Sequence, residues 1–596
     1  MADEQKPGNS ESPLPGGGET AQLPAKPAAA KPAPPRPPAA APGAGLARRA
    51  RVPESAWVAM AVSAGALLFL LLGPFSNFGP AGFLDPWFYT GYFTNFSYLL
   101  RHLGSTYYVS RLPWILPGLL SFRLAPPEAA NVALNAAIVS AGATALYWTV
   151  RWHYGRWCGI LAAAVLIASP HFMSTVGWDY PDGPAIAYGF VALAFAMRPH
   201  GSRARNSILA AVFLALSGLT NMAGAPMILS VVAVLLWRQR RSWRELLLES
   251  LRIGMGAGLT VLAFCPLSQL LFGRWTYFYW QIHQTVHIAG SLASMWGTGA
   301  GFLPSAPRLF PPVLLLVLGP LLWRGRRLRP VALEAWLALL ICFAAYAVQE
   351  FVLKGAALRI HYHSSYLIVP TLFCAGAFLG ELWNGSAALA VTAAAFAVAF
   401  PVWWRVANPS VTPLQTWIAL GAAAALATAI LACGALRSAV SILLVAVLSG
   451  APALDRAIGY AWDRPRAVYG RNVEVFRSLM ALQAYLKSAV DPRRKAQFWF
   501  DGGEPRHDLF NSAESLYLWM HHDFSRDLSS ASADTIRGEL APNATLVHLT
   551  QYPERIGERR TLLASRGIRT TNQREWNGLA GLHVVLEDVA GVETLR

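Results

Sequence analysis

Acidic side chains are rare in the long apolar part of this chain, and its aspartates fall into two short segments. Between Trp57 and Ala453 the only aspartates are Asp85, Asp179 and Asp182. Carboxylates close to membrane depth are costly and often mark function. A carboxylate can take a proton from a hydroxyl, as a general base does. Structural roles are an equal alternative, because Asp85 precedes a proline and Asp182 could cap an apolar helix.

Asp179 and Asp182 lie three residues apart in the segment Gly177-Trp-Asp-Tyr-Pro-Asp-Gly. At this spacing the two carboxylates can share a sugar hydroxyl or a divalent cation such as Mg²⁺ or Mn²⁺, which prefer oxygen ligands. His283 and His287 have the i, i+4 spacing of metal ligands on a helix. Without a third ligand nearby, the histidine pair favours an amphipathic surface turn.

A basic segment follows much later, in Lys354-Gly-Ala-Ala-Leu-Arg-Ile-His-Tyr-His. Its four basic or imidazole side chains are Lys354, Arg359, His361 and His363. Such a group could bind a phosphate through charge-assisted hydrogen bonds. The alternative is that the long side chains extend from the membrane surface into water.

The composition indicates that most of these side chains are carried by membrane-embedded elements. The 596 residues are 54% hydrophobic and only 14% charged, whereas soluble domains devote about a quarter of their residues to charge. The five cysteines all lie in apolar stretches, which indicates buried thiols and not a disulfide or zinc framework. These features disfavour acidic solvating proteins and disulfide scaffolds.

Apolar runs predict a polytopic α-helical membrane domain over residues 53–453. The Pro- and Ala-rich segment 1–52 before it predicts a disordered cytoplasmic extension, because it has few large apolar side chains. Thirteen membrane spans are predicted, at 57–75, 127–150, 157–176, 183–198, 206–220, 222–237, 253–272, 309–323, 331–350, 364–381, 386–404, 415–433 and 438–453.

Arginine clusters recur in every second connection or its flanks, which predicts a cytoplasmic amino terminus. The net charge of +17 is therefore explained largely by orientation and does not indicate a nucleic-acid partner. All three aspartates and the basic segment are then predicted on the extracytoplasmic face. Residues 454–596, which hold 18 of the 32 acidic residues, are predicted as a small α/β domain on the same side.

The order of these features resembles that of the GT-C membrane glycosyltransferases. An Asp stands in a long first outer loop, the second outer loop ends in Pro181-Asp-Gly-Pro, and a basic segment enters Tyr366-Leu-Ile-Val-Pro. The hairpin Leu216-Ser-Gly-Leu-Thr-Asn-Met-Ala-Gly and the number of spans are also similar. The resemblance covers about residues 57–405 and is greatest to the protein-O-mannosyltransferase and aminoarabinose-transferase-like branch, which uses polyprenyl-phosphate sugars.

This resemblance implies different roles for the candidate residues. Asp85 would be the general base, and Asp182, with Asp179 beside it, would position donor, acceptor or a Mg²⁺ or Mn²⁺ ion. Arg359 would stabilise the departing lipid phosphate, with Lys354 near it. His361 and His363 interrupt the Arg-Tyr pair that is common in the family.

The resemblance also implies the partners and the location of the protein. The donor would be a polyprenyl-phosphate sugar, and the acceptor a glycan, a lipid or a protein, in a bacterial inner membrane. A transporter or lipid flippase is a second hypothesis, although the sequence shows no clear internal repeat and its acids lie at span ends. A binding or scaffold protein, anchored by its spans, is a third.

Overall fold

The computed structural model describes most of the chain between residues 54 and 592. The described residues are 54–72, 78–82, 84–104, 106–177, 181–240, 242–276, 280–283, 309–325, 329–355, 357–383, 417, 420–421, 465–500, 504–517, 540, 543–578 and 581–592. The predicted extension 1–52, the residues Asp179 and His287, and the predicted spans 386–404 and 438–453 lie outside them, as does almost all of 415–433.

The amino-terminal part consists of helices. They are α1 (Glu54–Leu72), α2 (Leu84–Leu103), α3 (Leu112–Leu124), α4 (Pro127–Tyr154), α5 (Arg156–Ile167), α6 (Pro170–Gly177), α7 (Asp182–Met197), α8 (Arg203–Thr220), α9 (Ala225–Trp237), α10 (Trp243–Phe272), α11 (Phe310–Gly325), α12 (Pro330–Ala347) and α13 (Ile368–Trp383). A π-helical turn, Val348–Val352, extends α12.

The first ten predicted spans fall on these helices, with the third divided between α5 and α6. Three helical segments in the described part are both long and apolar enough to cross a membrane: Pro127–Tyr154, Trp243–Phe272 and Pro330–Val352. The chain is therefore mainly helical and has apolar helices of spanning length, whereas the number of thirteen spans stays a prediction.

The long segment 76–126, predicted as an outer loop, contains the helices α2 and α3. Its aromatic side chains were expected at the level of the lipid headgroups. Trp87, Tyr89, Tyr92 and Phe93 are instead buried inside the protein. Because α2 is buried over most of its length, it can hold the side chains of its first turn, including Asp85, in a fixed place.

Helix α4 is packed against α1, α3, α5 and α7. Its approach to α5 is close at Gly159, where a Cβ atom would lie 2.7 Å from the carbonyl oxygen of Tyr147. Small residues allow the backbones of helices to approach in this way. The bundle around α4 is thus dense enough to fix the ends of the helices that carry the candidate residues.

The carboxyl-terminal part contains a four-stranded sheet with three helices. Its elements are α14 (Pro465–Ala489), β1 (Lys495–Trp499), α15 (His507–Ser515), β2 (Ala544–Thr550), α16 (Arg555–Ser565), β3 (Ile568–Asn577) and β4 (His583–Val592). The strand order is β1-β2-β4-β3, and β1 and β2 are parallel whereas the other pairs are antiparallel. The sequence patterns predict helices over 472–489 and 553–565 and strands at 497–500, 544–549 and 582–586, and the structure has elements at all five places. The patterns do not predict β3 or α15. The boundary at residue 454 lies outside the described residues.

This carboxyl-terminal part packs directly onto α2. Phe78 and Trp87 belong to the same buried cluster as Phe476 of α14. The backbone nitrogen of Gly82 donates to Oγ of Ser512 at 2.9 Å. Farther along α2, the Tyr98 hydroxyl accepts a hydrogen bond from the backbone nitrogen of Ala496 at 2.6 Å. The sheet and its helices therefore help to fix α2 along its length.

Leu516, the residue after α15, approaches α2 closely at Gly91. A Cβ atom there would lie 2.7 Å from the carbonyl oxygen of Leu516, a backbone atom that cannot move independently. We expect Gly91→Ala to lower the free energy of unfolding by about 1–3 kcal/mol, measured by thermal unfolding in detergent. The matched control is Gly65→Ala, since a Cβ at Gly65 meets no atom within 4 Å. Equal unfolding temperatures for the two variants would contradict this packing.

Candidate active site

Two of the predicted carboxylates approach each other although they are 97 positions apart. Asp85 lies in the first turn of α2, and Asp182 is the first residue of α7. Tyr108 donates a hydrogen bond to Asp85. The carbonyl oxygen of Ser110, two residues further on, is bonded to Gln281, which also bonds Leu219 in the turn of Asn221, the partner of Asp182. The structure thus brings Asp85 and Asp182 into one site. Asp179 lies outside the described residues.

Asp182 is fully buried, and one of its carboxylate oxygens is held in place. Its Oδ1 accepts hydrogen bonds from Nδ2 of Asn221 at 2.7 Å and from the hydroxyl of Tyr366 at 2.6 Å. Its Oδ2 has no hydrogen-bond partner in the part of the chain that the structure describes. A buried carboxylate oxygen of this kind is costly unless it has a partner, so Oδ2 is available to a ligand.

Asp85 is only half-buried, and its Oδ1 accepts a hydrogen bond from the hydroxyl of Tyr108 at 3.0 Å. Tyr108 follows α2 in a turn and lies outside the predicted spans. Burial raises the pKa of the Tyr108 hydroxyl, and the negative charge of Asp85 raises this pKa further. Tyr108 therefore remains a hydrogen-bond donor at neutral pH, and it orients the carboxylate of Asp85.

A buried guanidinium completes the site, and it belongs to Arg111 in the turn that leads into α3. It donates hydrogen bonds to the hydroxyls of Tyr89 and Tyr107. Its central carbon lies 4.3 Å from the ring centre of Tyr107, a cation–π arrangement. The charge of Arg111 also interacts with Asp182. The turn that leads into α3 thus contributes one buried positive charge, which two tyrosine hydroxyls hold in place.

Sequence reasoning did not single out Arg111 as a site residue, because cations are scattered over the first outer segment. One local signal was present: Arg111 follows Tyr107 and Tyr108 closely in an aromatic stretch. A buried guanidinium costs several kcal/mol unless it is paired, and the hydroxyls of Tyr89 and Tyr107 hold that of Arg111.

Further side chains fix the loops around the site. Asn221, which holds Asp182, also accepts a hydrogen bond from the backbone nitrogen of Ala223 at 3.1 Å, so the turn between α8 and α9 positions its amide. Gln281 donates to the carbonyl oxygens of Leu219 at 2.6 Å and Ser110 at 3.4 Å. The second of these bonds ties the turn that carries Arg111 to the α8–α9 turn.

The side chains of the basic segment from Lys354 to His363 differ from one another in exposure and in contacts. Lys354 is exposed and has a positive φ of 55°. Arg359 forms an ion pair with the buried Glu350, with 2.5 Å between Nε and Oε1. His363 is half-buried, and the side chain of His361 lies outside the described part. Much of the positive charge of Arg359 is thus balanced within its own segment.

The pair of Arg359 and Glu350 leads to a prediction about the two single variants. Oε2 of Glu350 also accepts the backbone nitrogen of Leu358 at 2.8 Å. We expect Arg359→Gln to destabilise the fold by about 3 kcal/mol, since it leaves a buried carboxylate without its cation. Adding Glu350→Gln should restore most of that stability. Thermal unfolding of the single and double variants measures both effects.

A phosphate-binding role of Arg359 makes a different prediction for the same pair of variants. The double variant would then regain stability but not undecaprenyl phosphate binding. If the double variant regained neither stability nor binding, the ion pair of Arg359 and Glu350 would not be the cause of the stability lost in Arg359→Gln.

A metal site rests on fewer contacts. Among the described residues there is no group of three or more His, Cys, Asp or Glu side chains that could hold a metal ion. Oδ2 of Asp182 is suited to serve as one oxygen ligand. The His283–His287 pair cannot be assessed as a unit, since only His283 is described.

Comparison with known proteins gives matches among solved structures alone. No family model matches the chain, and a search of curated proteins gives no match. ArnT from Cupriavidus metallidurans bound to undecaprenyl phosphate matches at 15% identity and a TM-score of 0.48, over 91% of this chain and 100% of that chain. The Archaeoglobus fulgidus oligosaccharyltransferase in its apo form matches at 12% identity and a TM-score of 0.37, over 78% and 64%.

A further structure of that oligosaccharyltransferase, in complex with Zn and sulfate, matches at 14% identity and a TM-score of 0.32, over 66% of this chain and 53% of that chain. At these values the matches assign no role to any residue.

Proposed function

We propose that this protein is an integral-membrane glycosyltransferase that moves a sugar from a polyprenyl-phosphate carrier to an acceptor hydroxyl. The proposal is supported by the contacts of the turn that leads into α3. Tyr108 in this turn holds the carboxylate of Asp85, and its ring lies 5.6 Å from that of Tyr89, which accepts a hydrogen bond from the buried Arg111. Gln281 ties the same turn to the one that holds Asp182. A carboxylate that can accept a proton and a fixed cation are the two groups that transfer from a lipid phosphate requires.

The proposed reaction is a direct displacement at the anomeric carbon. Asp85 takes the proton of the acceptor hydroxyl, whose oxygen forms a new bond to the anomeric carbon. The bond between that carbon and the phosphate oxygen breaks, and its electron pair leaves with the polyprenyl phosphate. Arg111 stabilises the charge that grows on the phosphate. Because one displacement takes place, the anomeric configuration is inverted.

Asp182 is proposed to position the donor or acceptor through Oδ2, the oxygen that Asn221 and Tyr366 leave free. A Mg²⁺ or Mn²⁺ ion held by Asp179 and Asp182 is also part of the proposal, and it would bind sugar or phosphate oxygens. Transfer measured with EDTA, and again after Mg²⁺ or Mn²⁺ is restored, tests this ion. The basic segment is also proposed to contact the donor, through Lys354, Arg359, His361 and His363.

The orientation follows from the arginine clusters alone and is likewise proposed. The amino terminus would lie in the cytoplasm of a bacterium, and the active site and residues 454–596 would face the other side of the inner membrane. A single cysteine placed near residue 580 and labelled by an impermeant maleimide in intact spheroplasts would test this orientation. Protection from the reagent would reverse it.

Deletion of the gene and complementation test the proposed activity without knowledge of the sugar. Cells that lack the enzyme should accumulate a polyprenyl-phosphate sugar in lipid extracts, and mass spectrometry of that lipid identifies the donor. The wild-type gene should remove the accumulated lipid, and the gene carrying Asp85→Asn should not.

In membranes from the complemented strain, transfer must also release free polyprenyl phosphate. A transporter or flippase would move the lipid without releasing it. Donor consumption without free polyprenyl phosphate would therefore replace the glycosyltransferase by that alternative.

A further inference from the structure

Two adjoining cavities lie where the carboxyl-terminal helix α14 meets α2, α3 and the beginning of α4. Their volumes are about 430 and 740 Å³, and they share Pro127 and Met480 as lining residues. We call them together the α14 cleft. None of Asp85, Arg111 and Asp182 lines this cleft.

One half of the cleft is polar and carries positive charge. Its lining includes Thr94, Asn95, Gln483, Arg123 and Lys487, and no carboxylate. Helix α2 departs from helical geometry at Asn95, where φ is −135° and ψ is 29°. Nζ of Lys487 donates to the exposed carbonyl oxygen of Thr94 at 2.6 Å. This half of the cleft is therefore suited to an anion.

The charges of Arg123 and Lys487 are not balanced by neighbouring acids. Within the ranges that the structure describes, neither side chain forms an ion pair. The nearest acid in the cleft, Glu128, belongs to the other half and is paired with Arg477, with 3.1 Å between Oε2 and Nη2. Two cations without a carboxylate partner can both contact a phosphate group.

The other half of the cleft is lined mostly by apolar side chains. Phe78, Val132, Val473 and Phe476 form its walls. This half opens at the first turns of α4, one of the helices long enough to cross a membrane. The cleft therefore combines an apolar groove with a cationic end, beside the first turns of a helix long and apolar enough to cross a membrane.

We propose that the α14 cleft binds an anionic phospholipid of the surrounding membrane, with its phosphate between Arg123 and Lys487 and part of an acyl chain along Phe476. The cleft begins on α2 at Phe93, eight positions after Asp85, or about 12 Å along the helix. The bound lipid is thus separate from the reacting groups. It fills the seam between α14 and α3 and so stabilises the docking of the carboxyl-terminal part.

Native mass spectrometry of the detergent-purified protein with added phosphatidylglycerol tests this site. Phosphatidylcholine with the same acyl chains is the zwitterionic control, and inorganic phosphate is the control for the headgroup alone. We expect phosphatidylglycerol to bind about tenfold more tightly than phosphatidylcholine. The double variant Arg123→Gln/Lys487→Gln should lose that tenfold preference, since each cation near an anionic lipid contributes appreciably to its binding.

The matched control is Arg240→Gln, which removes an exposed cation that is predicted on the opposite face. Among the described residues its hydrogen bond and ring contact are both with Trp237. Arg240→Gln should keep the wild-type preference. The proposal is overturned if the double variant keeps the preference, if phosphatidylcholine binds equally well to the wild type, or if inorganic phosphate competes at millimolar concentration. The last result would indicate a site for free phosphate.

A second variant tests whether an acyl chain lies in the apolar half of the cleft. Phe476 contributes to the buried cluster of the carboxyl-terminal part and is therefore unsuitable, whereas Val132 on α4 is half-buried. Val132→Trp should fill the apolar half and lower the occupancy of both phospholipids. If Val132→Trp left phosphatidylglycerol occupancy unchanged, the acyl chain would not lie in the cleft.

Discussion

Asp85→Asn is expected to lower sugar transfer by a factor of about 10² to 10⁴, the range that a general base contributes. The amide has nearly the same shape as the carboxylate and can still accept the hydrogen bond from Tyr108, so the site should remain folded. Binding of undecaprenyl phosphate should therefore stay close to wild type. Transfer is measured as released polyprenyl phosphate in membranes from the complemented strain, and binding by native mass spectrometry.

Tyr108→Phe is the matched control for Asp85. It removes the hydrogen bond to Oδ1 but keeps the carboxylate, so we expect a loss of only about tenfold, in keeping with the loss of one hydrogen bond to a charged group. Unchanged transfer in Asp85→Asn would remove Asp85 from the mechanism. A loss in Asp85→Asn no larger than that in Tyr108→Phe would also argue against a general base, because it would be no larger than the loss of one hydrogen bond to the carboxylate.

Arg111→Gln is expected to have the second large effect, and it should lower lipid binding as well as sugar transfer. We expect transfer to fall by about 10² to 10³, because a fixed charge is removed from the place where negative charge develops. The affinity for undecaprenyl phosphate should also fall, since the phosphate itself is charged before the reaction. Arg111→Lys should recover only part of the loss, because an ammonium group cannot contact Tyr89 and Tyr107 in the same planar geometry.

The control for Arg111 is Arg274→Gln, which removes another cation predicted on the outer face. Arg274 lies near the ring of Trp280, with 5.8 Å to its centre, and its side chain is exposed. Binding of undecaprenyl phosphate should be unchanged in Arg274→Gln. Full binding in a folded Arg111→Gln variant, checked by thermal unfolding, would show that the lipid phosphate is held elsewhere.

The two variants together separate the roles of the two residues. Asp85→Asn is expected to bind lipid without transferring sugar, and Arg111→Gln to lose both. If Asp85→Asn lost both binding and transfer and Arg111→Gln lost only transfer, the two proposed roles would be exchanged. A general base and a phosphate-binding cation must differ in this way, because only the cation interacts with the donor in its ground state.

The helices and strands were largely predictable because their signals are local. Apolar runs such as 183–198 and 331–350 predict helices by length and composition, and the helices α7 and α12 occupy these places. Alternating apolar residues in Ala544–Leu549 predict a strand, which β2 forms. Strand β3 was missed, because Ile568–Asn577 is mostly polar and its alternation shows chiefly in burial. Helix α2 was missed as well, because its aromatic residues are typical of an interfacial loop.

The sequence by itself determined that this chain is built mainly of apolar helices. It also made Asp85 and Asp182 candidate site residues, because few acids occur among so many apolar residues. Only the tertiary structure decided which groups surround them. Asp182 meets Asn221 and Tyr366, which are 39 and 184 positions away, and Arg111 is buried among tyrosines. Such contacts depend on how helices pack, and that packing cannot be predicted from local patterns of hydrophobicity and charge.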